Sequence, residues 1–579
     1  MDSFRSPRQS ALSTPGNLHH HEPAPVVAMS RLRGVLALAL STALACAPGD
    51  DSLNQALEAI TEEDLVRHIQ VLSSDEFEGR GPSSAGEDRT VQYLKTEFEE
   101  LGLEPGNGDS YFQEVPLVAL TAHADMVLQI DRGETTHRFR YGDDFMAWTL
   151  RVIGETGISA SDLIFVGYGT LAPEYDWNDY QGVDVRGKTV VMLVNDPGFA
   201  TQDENLFNGN AMTYYGRWTY KFEEAARQGA AGAFIVHETK PAAYPWEVVQ
   251  GSWSGEQFGL VSDDKNMSRA AVEGWLTLES ARTLFAAAGL DYEELKHRAL
   301  ERDFHAMPMN LRASLTLRND IRHATSRNVV ALLPGSERPD EILIYMAHWD
   351  HLGKDPSLQG DSIYNGAMDN ASGTAGLLGL AKAFASLNPH PPRSILFMAT
   401  TAEEQGLLGS AYYATHPIYP PQKTVAAINM DGANIWGPMN DLTVVGHGFS
   451  ELDDYVAEAT AAQGRTVRPD PEPEKGYYYR SDHFTLAKVG IPSLYTDPGI
   501  DHVEHGETWS MARRDEYTAQ HYHKPSDEFD PAWDLSGAVQ DFQVLFRVGH
   551  RLSTESRWPN WREGTEFRAK RDAMRAAAP

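Results

Sequence analysis

EILIYMA (341–347) is a short apolar run that breaks directly into His348-Trp349-Asp350, and two further segments repeat the pattern. SILFMAT (394–400) breaks into Thr401-Ala402-Glu403-Glu404, and TVAAINM (424–430) breaks into Asp431-Gly432. Continuous apolar runs of this length, bounded by polar loops, read as strands buried on both faces. In an open α/β sheet, ligands gather in the crevice beyond the carboxyl ends of the strands. Three ionisable clusters at three strand ends therefore predict one site. They also point to an α/β fold.

The residue types point to metal chemistry. Neutral imidazoles and ionised carboxylates are zinc ligands, and a catalytic zinc keeps one position open for water. His348, Asp369, Glu404, Asp431 and His523 comprise two histidines and three carboxylates. That set serves two metals better than one, giving each a histidine, a terminal carboxylate and a share in a bridging one. Asp369 is the natural bridge, in the loop before the helix ASGTAGLLGLAKAFA (371–385). Asp350, two residues after His348, is suited to hold the second nitrogen of that imidazole, which fixes its tautomer and orientation. Glu403, beside Glu404, remains as a free carboxylate able to accept a proton from water. Two-metal sites of this kind place their ions roughly 3.5–4 Å apart.

The series HWDHLG (348–353), NGAMDNASG (365–373), TTAEEQGLLGS (400–410), NMDG (429–432), YRSDHFTLAKVGIPSLY (479–495) and YHKPSDEFD (522–530) resembles the co-catalytic di-zinc exopeptidases. These include the secreted bacterial leucyl aminopeptidases and, more distantly, glutamate carboxypeptidase II. The resemblance covers residues 54–125 and 325–552, and it implies an α/β sandwich with a mixed, mainly parallel central sheet flanked by helices. It implies two zinc ions per chain, one on His348 and Asp431, the other on Glu404 and His523, with Asp369 between them. It further implies Glu403 as general base, Asp350 behind the first histidine, and Tyr522 as a hydroxyl supporting the tetrahedral intermediate. The activity implied is hydrolysis of a peptide bond, with release of an N-terminal residue.

Other histidines are set aside. His351 reads as a loop residue packing beside the site, and His447 and His483 as makers of structural hydrogen bonds. His502-Val503-Glu504-His505 has the wrong spacing for the HExxH zinc motif and lies in a Gly- and Asp-rich loop. His19-His20-His21 falls in the leader.

The 579 residues carry 49 Lys and Arg against 82 Asp and Glu, a formal charge of −33 that excludes nucleic acid and anionic membranes as partners. SRLR (30–33) before GVLALALSTALA (34–45) reads as the n- and h-regions of a signal peptide, with Met29 as the start. The h-region is too short to span a bilayer, which takes about 20 apolar residues. Cleavage after Ala43-Leu44-Ala45 gives a mature chain beginning at Cys46, the single cysteine. That position makes a lipid anchor an expected alternative to a soluble mature form. Either route exports the protein from a bacterial cell, as a periplasmic or outer-membrane lipoprotein or as a secreted enzyme.

The expected organisation follows. Residues 1–53 form leader, signal peptide (about 29–45) and tether, with APGDDSLNQ (47–55) disordered. Residues 54–125 open the peptidase domain with an amphipathic helix at 60–74, then a Gly-rich turn and a second amphipathic helix within 78–102, and the turn near Arg80 approaches the cleft. Residues 126–320 interrupt the pattern with strands at 163–170 and 188–196 and a helix–turn–strand at 221–238. This stretch resembles the protease-associated domain inserted in many such peptidases. Trp246, Trp253 and Phe258 are expected either as an aromatic rim or as a packed β edge. Residues 321–555 form the catalytic domain, and 556–579 a charged peripheral tail. Loops 432–440 and 475–484, with Trp436, Tyr477, Tyr478 and Tyr479, wall the pocket or pack behind it. Arg480 either receives a substrate carboxylate, as carboxypeptidase or dipeptidase action requires, or pairs with Asp482. The presence of both His348 and His523 argues against the one-zinc cyclising acyltransferases on this scaffold. The complete ligand set argues against a non-catalytic receptor.

Overall fold

The strand Arg338–His348 runs through the centre of the molecule with every residue from Ile342 to His348 buried. Its parallel neighbours are Arg393–Thr400 on one side and Thr424–Asn429 on the other. The computed structural model describes residues 48–576. Beyond Thr424–Asn429 the sheet continues with Ser493–Pro498 (parallel), Asp441–Val445 (antiparallel) and Thr466–Pro469. On the other flank, Arg393–Thr400 pairs antiparallel with the end of Met307–Leu333, followed by Phe112–Ala122 and Glu256–Leu260. The sheet is mixed, with a parallel centre flanked by helices. Helices Gly373–Ala385 and Ser536–Thr554 pack their apolar residues on one face, with Leu377, Leu380 and Phe384 meeting Phe542 and Phe546. Gly376 is needed there, because a Cβ would lie 2.2 Å from the Phe542 ring.

Residues between the two halves of this pattern build a second, β-rich body. Its sheet runs Phe145–Trp148, Val272–Leu276, Gly232–Val236, Thr189–Leu193, Glu155–Phe165, the start of Met307–Leu333, Val127–Arg132 and Thr135–Arg140. It buries cores of its own around Phe165, Phe285 and Leu315, and around Trp148, Phe222 and Trp275. Met307–Leu333 belongs to both sheets, pairing with Glu155–Phe165 through Arg318 and with Phe112–Ala122 from Asn319. The expected junction at 320 therefore falls inside one continuous strand.

Two expectations need correction. APGDDSLNQ is not a tether over its described part, because Pro48–Glu58 is a helix with Ala56 and Leu57 in the main core. The tail is not peripheral. Trp561 is fully buried, and Arg571 donates to the carbonyls of Thr424 (3.1 Å) and Val425 (3.2 Å). Of the two readings offered for the aromatic residues, packing holds at Trp253, whose ring stacks on Trp148 at 3.6 Å and meets Trp218 edge-on. Trp246 donates to Gly142 O, and Phe258 lies under the Arg322 guanidinium on the edge strand. The leader, the signal-like segment and Cys46 lie outside the described residues.

Candidate metal centre

Strand register assembles the site. His348 is level with Thr400, and Met346 with Asn429, so the three parallel strands end side by side. His348 is the last residue of its strand, Glu403 and Glu404 follow Thr400, and Asp431 follows Asn429. The floor is tied by side chains: Thr400 Oγ1 donates to Asp482 Oδ2, and Asn429 Nδ2 donates to Ser481 Oγ at 2.7 Å.

His348 Nε2 lies 3.1 Å from Asp431 Oδ1 and 3.3 Å from Asp369 Oδ1. His523 Nε2 lies 3.2 Å from Asp369 Oδ2 and 3.1 Å from Glu404 Oε2. One carboxylate therefore faces both imidazoles, one oxygen to each. A tetrahedral zinc with bonds of about 2.0–2.2 Å sets its ligand atoms roughly 3.3 Å apart. The four separations match that shell, so the donor set fits a cation at each end of Asp369.

The electrostatics agree. Burial works against a charged His348, but the carboxylates of Glu403, Asp431 and Asp369 outweigh it and push the imidazole well above its ordinary range. His523 is carried up to about 10, with Glu404 and Asp369 overcoming burial. Burial raises and the His523 charge lowers the Glu404 carboxyl, and the second effect wins at about 2. The site thus attracts positive charge strongly, which protons or a metal can supply.

Glu403 differs from its neighbour. Its Oε2 stands 4.0 Å from His348 Nε2, outside the ligand shell, and burial with the Asp431 and Glu404 charges nearby pushes its carboxyl well above the usual range. Asp350 departs from expectation in detail. The nearest acceptor to His348 Nδ1 is the Asp350 backbone carbonyl, at 3.1 Å, while its carboxylate oxygen is 3.8 Å away. That carboxylate instead accepts the backbone N–H of Glu403 at 3.1 Å and of Glu404 at 3.4 Å. Tyr522 stacks on His523 at 3.9 Å and is 36 % exposed. Desolvation and the Asp369 carboxylate push its hydroxyl well above the ordinary value.

Several supports were not legible as such. Arg80, 0 % exposed, donates to the carbonyls of Leu72, Trp349, Asn365 and Gly366, locking two site loops together. Burial lowers its guanidinium to about 10, and the charges of Asp527, Asp350, Asp369 and Glu404 compensate in part. Asp527 receives the backbone N–H of Met368 and of Asp369, both at 3.1 Å, and the Tyr517 hydroxyl. Asn370 joins the Asp369 loop to the Asp431 loop by accepting from Gly373 N and Gly432 N and donating to Met430 O. His351 is no mere packing residue, because its Nδ1 lies 2.6 Å from Glu404 Oε1.

The remaining candidates resolve as follows. Both ring nitrogens of His483 lack a hydrogen-bond partner, and the ring packs between Tyr478 and Tyr495, contrary to expectation. Arg480 does not pair with Asp482, which turns to Thr400; its guanidinium lies over the Tyr477 ring at 5.3 Å. Tyr478 and Tyr479 are buried behind the loop, and His502 stacks on His505 away from the centre.

An α/β sandwich with such a centre at its strand ends has the architecture of the zinc exopeptidases. Residues 328–546 match the model of peptidase family M28. The chain is similar to aminopeptidase NAALADL1 of Mus musculus, at 33 % identity over 22 % of this chain and 16 % of that protein. It is also similar to a glutamate carboxypeptidase 2 homolog of Caenorhabditis elegans, at 25 % identity over 60 % of this chain and 47 % of that one. The chain thus spans less than half the length of these curated relatives. Among solved structures, an aminopeptidase from Aneurinibacillus sp. strain AM-1 shares the fold with a TM-score of 0.50 and 20 % identity, covering 87 % of this chain and 97 % of that one.

Proposed function

We propose that the protein is a zinc-dependent exopeptidase, most simply an aminopeptidase, with two zinc ions per chain, one on His348 and Asp431 and one on Glu404 and His523. The observation that carries this reading is the Asp369 carboxylate facing an imidazole with each oxygen, at 3.3 and 3.2 Å. When bound, zinc would acidify water and polarise a substrate carbonyl. The protein's residues supply the remaining steps. Glu403, with its raised affinity for protons, accepts a proton from the attacking water and delivers it to the leaving amine. The Asp350 carboxylate fixes the backbone from which Glu403 projects. The Tyr522 hydroxyl, at the open side of the cleft, donates to the oxygen of the attacked carbonyl.

We read the inserted domain as protease-associated in kind and as a wall of the substrate cleft. The leader supports export, with Cys46 as the residue a lipid anchor would use. Among the described residues, no helix is long and apolar enough to cross a membrane.

A second reading has a specific observation in its favour. Arg480 stands near Glu403 and Tyr522, and Arg217 of the inserted domain lies close enough for the two guanidiniums to repel. Neither makes an ion pair among the described residues, and Arg217 Nε has no partner. A substrate carboxylate would satisfy both, as in carboxypeptidase or dipeptidase action.

The test is release of amino acids from unblocked peptides and their N-acetylated counterparts, with zinc, after chelation, and with Glu403→Gln. Cleavage confined to unblocked peptides and abolished by both treatments establishes an aminopeptidase. Cleavage of blocked peptides from the carboxyl end favours the Arg217–Arg480 reading, and zinc-independent cleavage refutes both.

A further inference from the structure

His351 is fully buried beside the centre, three residues beyond His348. Its backbone N–H donates to Arg80 O at 3.3 Å, and its ring lies flush against Gly366, where a Cβ would approach it to 2.6 Å. The ring meets His523 edge-on at 5.7 Å. Its Nδ1 stands 2.6 Å from Glu404 Oε1, while Glu404 Oε2 stands 3.1 Å from His523 Nε2.

These lengths separate two possible roles. Atoms sharing a tetrahedral zinc sit roughly 3.3 Å apart, as the four ligand separations do. A contact of 2.6 Å is too short for co-ligands and falls at the short end of hydrogen bonds to a charged carboxylate. A carboxylate has no hydrogen to give, so His351 Nδ1 is the donor. The bond occupies one oxygen of Glu404 and leaves the other turned towards His523 and Asp369.

We propose that His351 is a positioning residue for the cation on the His523 side, holding Glu404 as a one-oxygen ligand and thereby setting the affinity of that half alone. This rests on the two-zinc reading above. The protein otherwise holds the two halves unequally. His348 ends a strand, but His523 sits on a turn, so the second half depends more on fixing its remaining ligand. Outer partners of metal ligands typically contribute about 10–100-fold in affinity.

The test is zinc titration of the full chain against a chromophoric chelator, for wild type, His351→Leu and His351→Asn, with circular dichroism as the check on folding. Asn places an amide N–H where Nδ1 stood, and Leu keeps bulk without a donor. His351→Leu is expected to weaken one of two binding events by about 10–100-fold and leave the other unchanged, while His351→Asn recovers most of the loss. In a His523→Ala background, where that half is already lost, His351→Leu should change nothing further. Two wild-type events that His351→Leu leaves unaltered, or weakens equally, overturn the assignment while sparing the two-zinc reading. An Asn variant as poor as Leu overturns it too, by showing that ring shape and not the hydrogen bond matters. Fewer than two events in the wild type would sink both readings together.

Discussion

The two histidines that face Asp369 come from opposite kinds of structure. His348 is the last residue of a strand hydrogen-bonded on both sides, its side chain 2 % exposed and its carbonyl held by Thr374 Oγ1. His523 follows helix Gly506–Gln520 in a turn, with a side chain 35 % exposed and a φ of +56°, a region few non-glycine residues adopt. The sheet places the first half of the centre as a by-product of its own register. The second half needs dedicated props: Asp527 under the Asp369 loop, His351 on Glu404, and a turn in which His521 and Ser526 bond at 2.8 Å. The backbone strain at His523 is what functional positions tolerate when their surroundings over-determine them.

The comparison can be broken most completely at the shared residue. Asp369→Ala should abolish uptake of both cations and reduce peptide hydrolysis to background, measured by metal analysis after dialysis and by amine release. Retention of one full-affinity zinc would show that the halves are independent and that Asp369 does not bridge. Glu403→Gln should do the reverse, keeping both cations while lowering kcat by about 10²–10⁴-fold, the range of general acid–base catalysis.

Removing the two histidines should then separate the halves. His348→Ala leaves buried carboxylates without their partner and should lower the stability of the metal-free protein by about 3 kcal/mol. His523→Ala, where the side chain is 35 % exposed and solvent can reach the carboxylates left behind, should lower it less while costing one cation. Chemical denaturation without metal reads both, and equal losses would erase the distinction.

Acid should sharpen the contrast more gently. The carboxylates hold His523 up to about 10, so at neutral pH a cation must displace its proton. Affinity therefore rises with pH and falls about tenfold for each unit of acidification per proton displaced. Titrations from pH 8 to 6 should show one cation leaving before the other. Simultaneous release would argue that the halves are energetically alike.

The strand-borne half was readable from sequence for the same reason that it is rigid. An apolar run ending in a ligand is a local pattern, and EILIYMA-His348 and TVAAINM-Asp431 display it in consecutive residues. His523 ends no apolar run, and nothing local marks a ligand in a turn, so its place in the set rests on residue type and on the resemblance of YHKPSDEFD to a family pattern. The props escaped because they act across the chain. Arg80 bonds to carbonyls 269, 285 and 286 residues away, and a backbone acceptor leaves no trace in side-chain types. His351 looked like packing because its partner, Glu404, lies 53 residues on. The helix Pro48–Glu58 was misread because its polar composition hides the two residues, Ala56 and Leu57, that fix it to the core.

Anomalous diffraction at the zinc edge tests the central claim most directly. The account predicts two peaks roughly 3.5–4 Å apart, one against His348 and Asp431, the other against Glu404 and His523, with an Asp369 oxygen on each. A single peak, or a second one that does not touch Asp369, would contradict it.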